Sequence, residues 1–378
     1  DLPPDCVIEF RDGPNAALAP FRQPVLARDR LRYVGEPVAV VFADSAAAAE
    51  DAAELIAIDA EDLPPVLSAS DPPSEFAPGL TTEASEIRQG YGDLDAAFAE
   101  AALVIENDVF IGRHSGVPLE TRGAIGVYDA ARDMLELHGA AKVPHRNRES
   151  LAWMLGRPPS SIHLYESHVG GGFGVRGELY PEDVLVLLAA MRLGRPIKWI
   201  EDRREHLMAA NHSREQRHVT RAAVAADGAI LAIDNRFFHD QGAYVRTHGD
   251  RVAVSTCGLF GGPYRMPAYR ARGAFRLTNK TPAATYRAPS RFETNFARER
   301  LFDAIARRLG LDRVEVRRRN LIGPEEMPYE RSVIALGEDV VHDSGDYPLL
   351  LDKALARFGW REAEADAAAR RARGACVG

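Results

Sequence analysis

The chain has 378 residues, 46% of them hydrophobic and 27% charged, with a formal net charge of −8. That length holds two or three ordinary domains and a well-buried core, while the acidic balance argues against a nucleic-acid binder, which needs a basic field to gather phosphates. The longest uninterrupted apolar run, Val184 to Met191, is far short of the roughly 20 residues that cross a bilayer.

In chain order, residues 38–43 (VAVVFA) form a short, β-branched apolar run between Pro37 and Asp44 and predict a buried strand. Asp44 and Ser45 suit the N-cap of a helix running to about Leu55, and Leu55 to Ala60 predicts a second strand before Pro64-Pro65. From Ser68 to about Gly92 the chain is rich in Pro, Ser, Gly and Glu, a linker composition, which puts a domain boundary near residue 88. A helix at Leu94–Ala102 and a strand at Leu103–Ile111 open the second region, and Arg148–Leu155 predicts a helix closed by Gly156 and Pro158. Ile162–Tyr165 predicts a strand entering the glycine-rich segment Gly170–Gly174. Pro181, Glu182 and Asp183 mark the start of a buried helix that ends at Gly194. Asp227-Gly228 between two extended runs, Val219–Ala225 and Ile230–Phe238, signals a hairpin. A long helix is expected over Asn295–Leu309, stopped by Gly310, with Asp312 and Glu315 starting the next. The class is mixed α/β (α+β).

Three segments can carry chemistry. In Gly170-Gly171-Gly172-Phe173-Gly174 a row of glycines after a strand lets backbone N–H groups approach a ligand closely. Gly172-x-Gly174-x-x-Gly177 also matches the dinucleotide fingerprint, but Pro181 delays the helix and the next acidic residues, Glu201 and Asp202, stand too far on. A nicotinamide site and a plain glycine-rich turn both stay open on these residues alone. Thr285 to Arg291 places two arginines around a small-residue bend; on its own this reads first as a solvated loop, with an oxyanion site as the alternative. Lys142-Val143-Pro144-His145 pairs a charge with a proton carrier. The 11 histidines show no HExxH or HxH spacing, so no protein-ligated metal is expected. The three cysteines, Cys6, Cys257 and Cys376, contain no CxxC pair, which gives no disulfide framework and points to a reducing, cytoplasmic setting. With no initiator Met and a last stretch of Cys376-Val377-Gly378, the chain is expected to be a piece of a longer polypeptide.

An ordered series of motifs then resembles the molybdenum-binding subunit of the xanthine dehydrogenase / aldehyde oxidase / carbon monoxide dehydrogenase family. It comprises Arg32-Tyr33-Val34-Gly35-Glu36-Pro37, Gly92 to Phe98, Pro118-Leu119-Glu120-Thr121-Arg122, Gly170 to Gly174, Tyr180 to Asp183, Gly194 to Glu205, Asp240 to Tyr244, Tyr286-Arg287-Ala288 and Arg317 to Leu321. The resemblance implies a hammerhead-like α/β domain over residues 1–88, lacking its first strands, and the first half of a molybdopterin-binding domain over 89–378. It implies molybdenum held by a pterin dithiolene, in the cytosine dinucleotide form, with 2Fe-2S and FAD carried by partner subunits. By the same resemblance Gly171, Gly172, Phe173 and Gly174 lie against the cofactor, with Arg287 and Ala288 facing it from the other side, and Lys142 and Arg287 are the implied catalytic residues of this chain. Pro289 and Ser290 border the substrate. The implied activity is hydroxylation of an aldehyde or an N-heterocyclic carbon with water as oxygen source. Carbon monoxide enzymes carry a cysteine in the arginine loop, where this chain has Ala288 and Pro289, and many relatives carry Gln where this chain has Lys142. The family's glutamate base lies beyond Gly378, so the isolated chain is not expected to turn over. The remainder of the molybdenum subunit, the iron–sulfur and FAD subunits and a small-molecule substrate are the implied partners. A non-catalytic assembly half of a split subunit and, further off, an NAD-dependent dehydrogenase are the alternatives.

Overall fold

Alternation of inward and outward side chains builds the larger of two main sheets. In the computed structural model, which describes residues 6–13, 15–139 and 143–377, the expected hairpin is present as strands Gln216–Val224 and Ile230–Gly242. Asp227 at its turn accepts a hydrogen bond from the Ala229 N–H at 3.0 Å. Gln216, His218, Thr220 and Ala222 point inward, while Arg221 is exposed, the period of two that a half-buried strand requires. The sheet has the order Glu83–Tyr91, Ala268–Leu277, Ile230–Gly242, Gln216–Val224, Leu103–Ile111. Only the pair Ile230–Gly242 and Ala268–Leu277 is parallel. A parallel pair needs a crossover, supplied by a connection that carries the helix Arg251–Leu259. That helix packs with Arg291–Leu309 over one face, in a core centred on the fully buried Phe237, Phe260, Phe275 and Phe302. The helix Leu94–Glu100 covers Ala223, Ala232 and Ala268 on the other face.

A smaller sheet orders Ile162–Tyr165, Met134–Gly139, Gly123–Asp129 and Ile197–Ile200, its first two strands parallel. Helix Pro181–Leu193 lies on it and buries Val184, Leu185, Val186 and Leu187. The signals for this helix act where expected. Pro181 occupies the first turn, the Asp183 carboxylate accepts from Tyr180 N–H at 3.0 Å, and Gly194 closes the end at φ 62°.

The N-terminal third corrects the sequence reading. The helix Ala46–Glu54 forms, capped by Ser45, but residues 38–43 and 55–60 make no strands, and Val40, Phe42, Ile56 and Ile58 stand exposed. An apolar run becomes a strand only when another strand supplies its hydrogen bonds, and none does so here among the described residues. The apolar side chains that this region buries come from residues 6–25 instead. Phe10, Leu18 and Phe21 join the core of the larger sheet, whereas Cys6, Ile8 and Val25 join that of the smaller one. The stretch expected to be a linker holds the edge strand Glu83–Tyr91, in register with Ala268–Leu277. Local composition missed it because the partner lies far away in sequence. No helix of the described residues is long and apolar enough to cross a membrane.

Candidate functional site

The C-terminal end of strand Ile162–Tyr165 leads into the glycine segment, and a neighbouring loop pins its start. Gly170 N–H donates to the Glu120 carboxylate at 2.5 Å, and its carbonyl accepts from Glu120 N–H at 3.2 Å. The buried Arg176 ties the other end to Glu120 at 3.1 Å and to the Thr121 carbonyl. Between these ties the backbone runs through positive φ at Gly171 (109°), Phe173 (50°) and Gly174 (100°). A Cβ on Gly174 would stand 2.6 Å from the Thr285 carbonyl oxygen, so only glycine fits there. Among the described residues the N–H groups of Gly171, Gly172, Phe173 and Gly174 donate to no protein acceptor. The Phe173 ring is 45% exposed. The last glycine of the dinucleotide fingerprint, Gly177, ends a 3₁₀ turn, and the following helix starts only at Pro181. That geometry does not support a nicotinamide site.

The arginine segment is held in place strand by strand. His212 N–H donates to the Pro282 carbonyl at 3.0 Å and Ala284 N–H to His212 at 2.8 Å. Gln241 clamps Ala283 from both sides, accepting its N–H at 2.6 Å and donating its side-chain amide to its carbonyl at 2.7 Å. The two segments then meet. Arg287 N–H donates to the Phe173 carbonyl at 2.7 Å. Beyond this contact Ala288 (φ 54°) and Ser290 (φ 68°) are both left-handed, a strain that persists only where the surroundings impose it. Their carbonyls accept the first-turn N–H groups of the next helix, Arg291 at 3.2 Å and Thr294 at 3.0 Å. The helix therefore starts at Arg291 rather than at the expected Asn295.

A cavity of about 570 Å³ opens against this turn, walled by His114, Tyr286, Arg287, Ala288, Arg291 and Phe292. Arg287 and Arg291 have no hydrogen-bonding or ionic side-chain partner among the described residues, so their guanidinium donors are available to a ligand. Of the two residues expected to border substrate, Pro289 is half-buried. Ser290 is 1% exposed and donates its hydroxyl to the Val252 carbonyl at 2.9 Å, so its side chain supports the turn from behind. Lys142 lies outside the described residues.

Two buried clusters brace the segments, and neither has a local sequence signal. Arg214 donates to the carbonyls of Arg287 and, at 3.2 Å, Ala288, and pairs with Glu293 at 3.3 Å. Burial pushes the Glu293 carboxyl up, and Arg214 works against that rise. Behind Gly174, His248 contacts Thr285 Oγ1 at 3.1 Å and Glu178 at 2.5 Å, and Arg11 reaches its Nε2 at 2.8 Å. Burial works to raise the Glu178 carboxyl, but His248, Arg11 and Arg246 outweigh it and hold it below its usual range. Among the described residues no group of three or more His, Cys, Asp or Glu side chains could hold a metal ion. What the two segments gather is donors: free backbone N–H groups and guanidinium forks. These suit a bound group that presents several acceptor oxygens.

Comparison with known proteins bears on the same segments. Residues 6–64 match the aldehyde oxidase and xanthine dehydrogenase a/b hammerhead domain, and residues 76–321 match the molybdopterin cofactor-binding domain. The chain is 43% identical over 345 residues to the 6-hydroxypseudooxynicotine dehydrogenase complex subunit gamma of Paenarthrobacter nicotinovorans, covering 90% of this chain and 43% of that protein. It is 34% identical to the nicotine 6-hydroxylase large subunit of the same organism, covering 87% of this chain and 42% of that protein. The crystal structure of quinoline 2-oxidoreductase from Pseudomonas putida 86 superimposes with a TM-score of 0.86 at 36% identity, over 93% of this chain and 45% of the other. The chain thus spans less than half the length of these relatives.

Proposed function

We infer the function of this chain from one premise: it belongs to the molybdopterin cofactor-binding domain family, whose members are molybdopterin-dependent oxidoreductases of the xanthine dehydrogenase and aldehyde oxidase type. In our reading it forms the part of a molybdenum hydroxylase large subunit that rests against the pterin-held metal. The intact protein oxidises a ring carbon of an N-heteroaromatic substrate, with water as the oxygen source. One observation carries this reading. The Arg287–Phe173 hydrogen bond joins backbone N–H groups that have no protein acceptor among the described residues to the turn bearing a guanidinium with no side-chain partner among them.

When bound, the pterin-held molybdenum supplies the two-electron redox chemistry. The residues of this chain supply its setting. The N–H groups of Gly171 to Gly174 would hold acceptor oxygens of the bound group, and as preorganised donors they would need no reorientation to do so. Arg287 would offer its fork to negative charge developing on a substrate in the adjoining cavity, and Pro289 would border that substrate. Tyr286 and Phe292 give the cavity an aromatic wall that favours a flat ring and excludes water. Relatives named for nicotine and quinoline support an N-heterocycle over an aldehyde. The cytosine dinucleotide form of the pterin, and electron transfer to 2Fe-2S and FAD on partner subunits, belong to the same proposal. So does a place for Lys142 beside the metal, tested by Lys142→Gln; unchanged kcat and KM would remove it.

The experiment is to purify the natural full-length subunit with its partner subunits, measure molybdenum and pterin, and assay quinoline, pyridine and aldehyde substrates with an artificial electron acceptor. About one molybdenum and one pterin per subunit, with faster turnover of N-heterocycles than of aldehydes, is the expected result. Absence of both metal and pterin overturns the reading.

A further inference from the structure

We propose that Arg214 is a positioning residue for this site, fixing the strained Arg287–Ala288 turn so that the Arg287 guanidinium is aimed before any ligand arrives. The proposal rests on the functional reading above for what Arg287 does, and on this chain's own geometry for how Arg214 acts. Arg214 is itself left-handed (φ 79°) and 4% exposed. Its two terminal nitrogens divide the work. Nη2 donates to the Arg287 carbonyl, while Nη1 donates to the Ala288 carbonyl at 3.2 Å and to the Glu293 carboxylate at 3.3 and 3.4 Å. Its guanidinium also contacts two aromatic rings, Tyr286 with the centroid 4.7 Å away and Phe292 at 4.6 Å.

Each of these contacts falls on the turn or on the first turn of the helix that follows it. Tyr286, Arg287 and Ala288 precede the bend; Phe292 and Glu293 follow it. One buried fork therefore joins both arms of a turn whose Ala288 and Ser290 are at positive φ, which L-residues disfavour. Among the described residues the Arg287 carbonyl has no other hydrogen-bond partner. Without Arg214 the turn keeps the Arg287 N–H bond to Phe173 and the helix N–H groups on the Ala288 carbonyl but loses its hold on the Arg287 carbonyl, and a shift there moves the Arg287 side chain. A lysine cannot replace the fork, because one ammonium cannot bridge two carbonyls and a carboxylate while stacking between two rings. Glu293 completes the device. It neutralises a guanidinium that would otherwise be an uncompensated buried charge.

The test uses the full-length subunit in its natural complex, with variants Arg214→Met, Arg214→Lys, Arg287→Ala and the double Arg214→Met/Arg287→Ala. Hydrogen exchange read by mass spectrometry gives a measure independent of turnover. The peptide covering residues 284–292 is expected to exchange at least ten times faster in Arg214→Met, with the strands Gln216–Val224 and Ile230–Gly242 unchanged. In the same variant kcat is expected to drop at least tenfold with KM within threefold of wild type, and Arg214→Lys to recover only part of the loss. The double variant should be no slower than Arg287→Ala alone, because Arg214 acts through Arg287. Additive losses, an unchanged 284–292 peptide, or faster exchange throughout the subunit would each overturn the proposal, the last because it marks a merely structural role. If Arg214→Met does not fold, Arg214→Lys decides by the same loop-confined exchange. A wild-type complex without molybdopterin would sink the functional reading while leaving the exchange result to stand or fall by itself.

Discussion

The two segments that meet at the Phe173–Arg287 hydrogen bond are shaped by opposite means. The glycine segment takes its form from what it lacks: a Cβ at Gly174 would strike the Thr285 carbonyl at 2.6 Å, and Gly171 and Gly174 sit at φ near 100°. The arginine segment contains no glycine from Thr285 to Arg291, yet it too passes through positive φ, at Ala288 and Ser290. There the shape is imposed from outside, by Arg214 on its carbonyls and Gln241 at its base. Gly171, Gly172 and Gly174 leave the donors of this run uncovered, with Phe173 the one side chain among them. A turn that aims a long side chain can instead be clamped from behind. The difference predicts that Gly174 tolerates no added atoms, and that the backbone of the second segment keeps its shape when its own side chains are trimmed but not when its clamps are lost.

The largest expected effect is at the guanidinium itself. In the intact complex Arg287→Ala should lower kcat by about 100- to 1000-fold, the usual loss when one preorganised donor is removed, with molybdenum content retained by metal analysis. Next comes the glycine segment. Gly174→Ala forces a backbone shift, and a displacement of about 1 Å can cost about 100-fold in turnover; pterin fluorescence should fall with it. If Gly174→Ala behaves as wild type, the glycine segment is an ordinary turn.

The support beneath the arginine segment should be sensitive to acid. Burial holds His218 and His239 neutral, with pKa values lowered from 6.5 to about 4, and His239 contacts Gln241, whose amide clamps Ala283. A folded-state pKa below the unfolded value stabilises the fold above the unfolded pKa. That contribution is complete above about pH 6.5 and is lost as pH falls toward 4. Denaturant titrations at a series of pH values should show this decline, and His239→Gln should flatten it. An unchanged slope in that variant would disconnect His239 from acid stability.

Two smaller effects separate strain from clamping. Ala288→Gly relieves a left-handed alanine and should leave the subunit between unchanged and about 1 kcal/mol more stable, with kcat reduced less than about fivefold. A large kcat loss there would mean that the alanine, rather than Arg214, sets the turn. Ser290→Ala removes one hydrogen bond to Val252 and should cost about 1 kcal/mol of stability, measured by denaturant unfolding, with KM unchanged. A raised KM would return Ser290 to the substrate side.

Much of this architecture can be read from short-range chemistry. The caps at Ser45, Asp93 and Asp312, the glycine stop at Gly194 and the Asp227-Gly228 turn each act within a few residues, and each marks an element boundary that the structure contains. Residues 38–43 and 55–60 fail for the complementary reason. Their apolar character says that they can pair but not that a partner is present, and pairing is decided far along the chain. The edge strand Glu83–Tyr91 shows the reverse error, a polar stretch made into a strand by register with Ala268–Leu277. The site divides in the same way. The glycine row and the arginine bend are visible as local composition. Arg214 is not, standing 74 positions before Ala288, nor is Glu178, 70 positions before the His248 that it orients.

The central claim is that these two segments together seat a pterin-held metal, and it is tested most directly by molybdenum and pterin stoichiometry in the full-length subunit, purified with its partners, as wild type and as Gly174→Ala. The account predicts about one of each per wild-type subunit and a clear deficit in the variant. A wild-type subunit lacking both, or a variant with full content and full turnover, would contradict it.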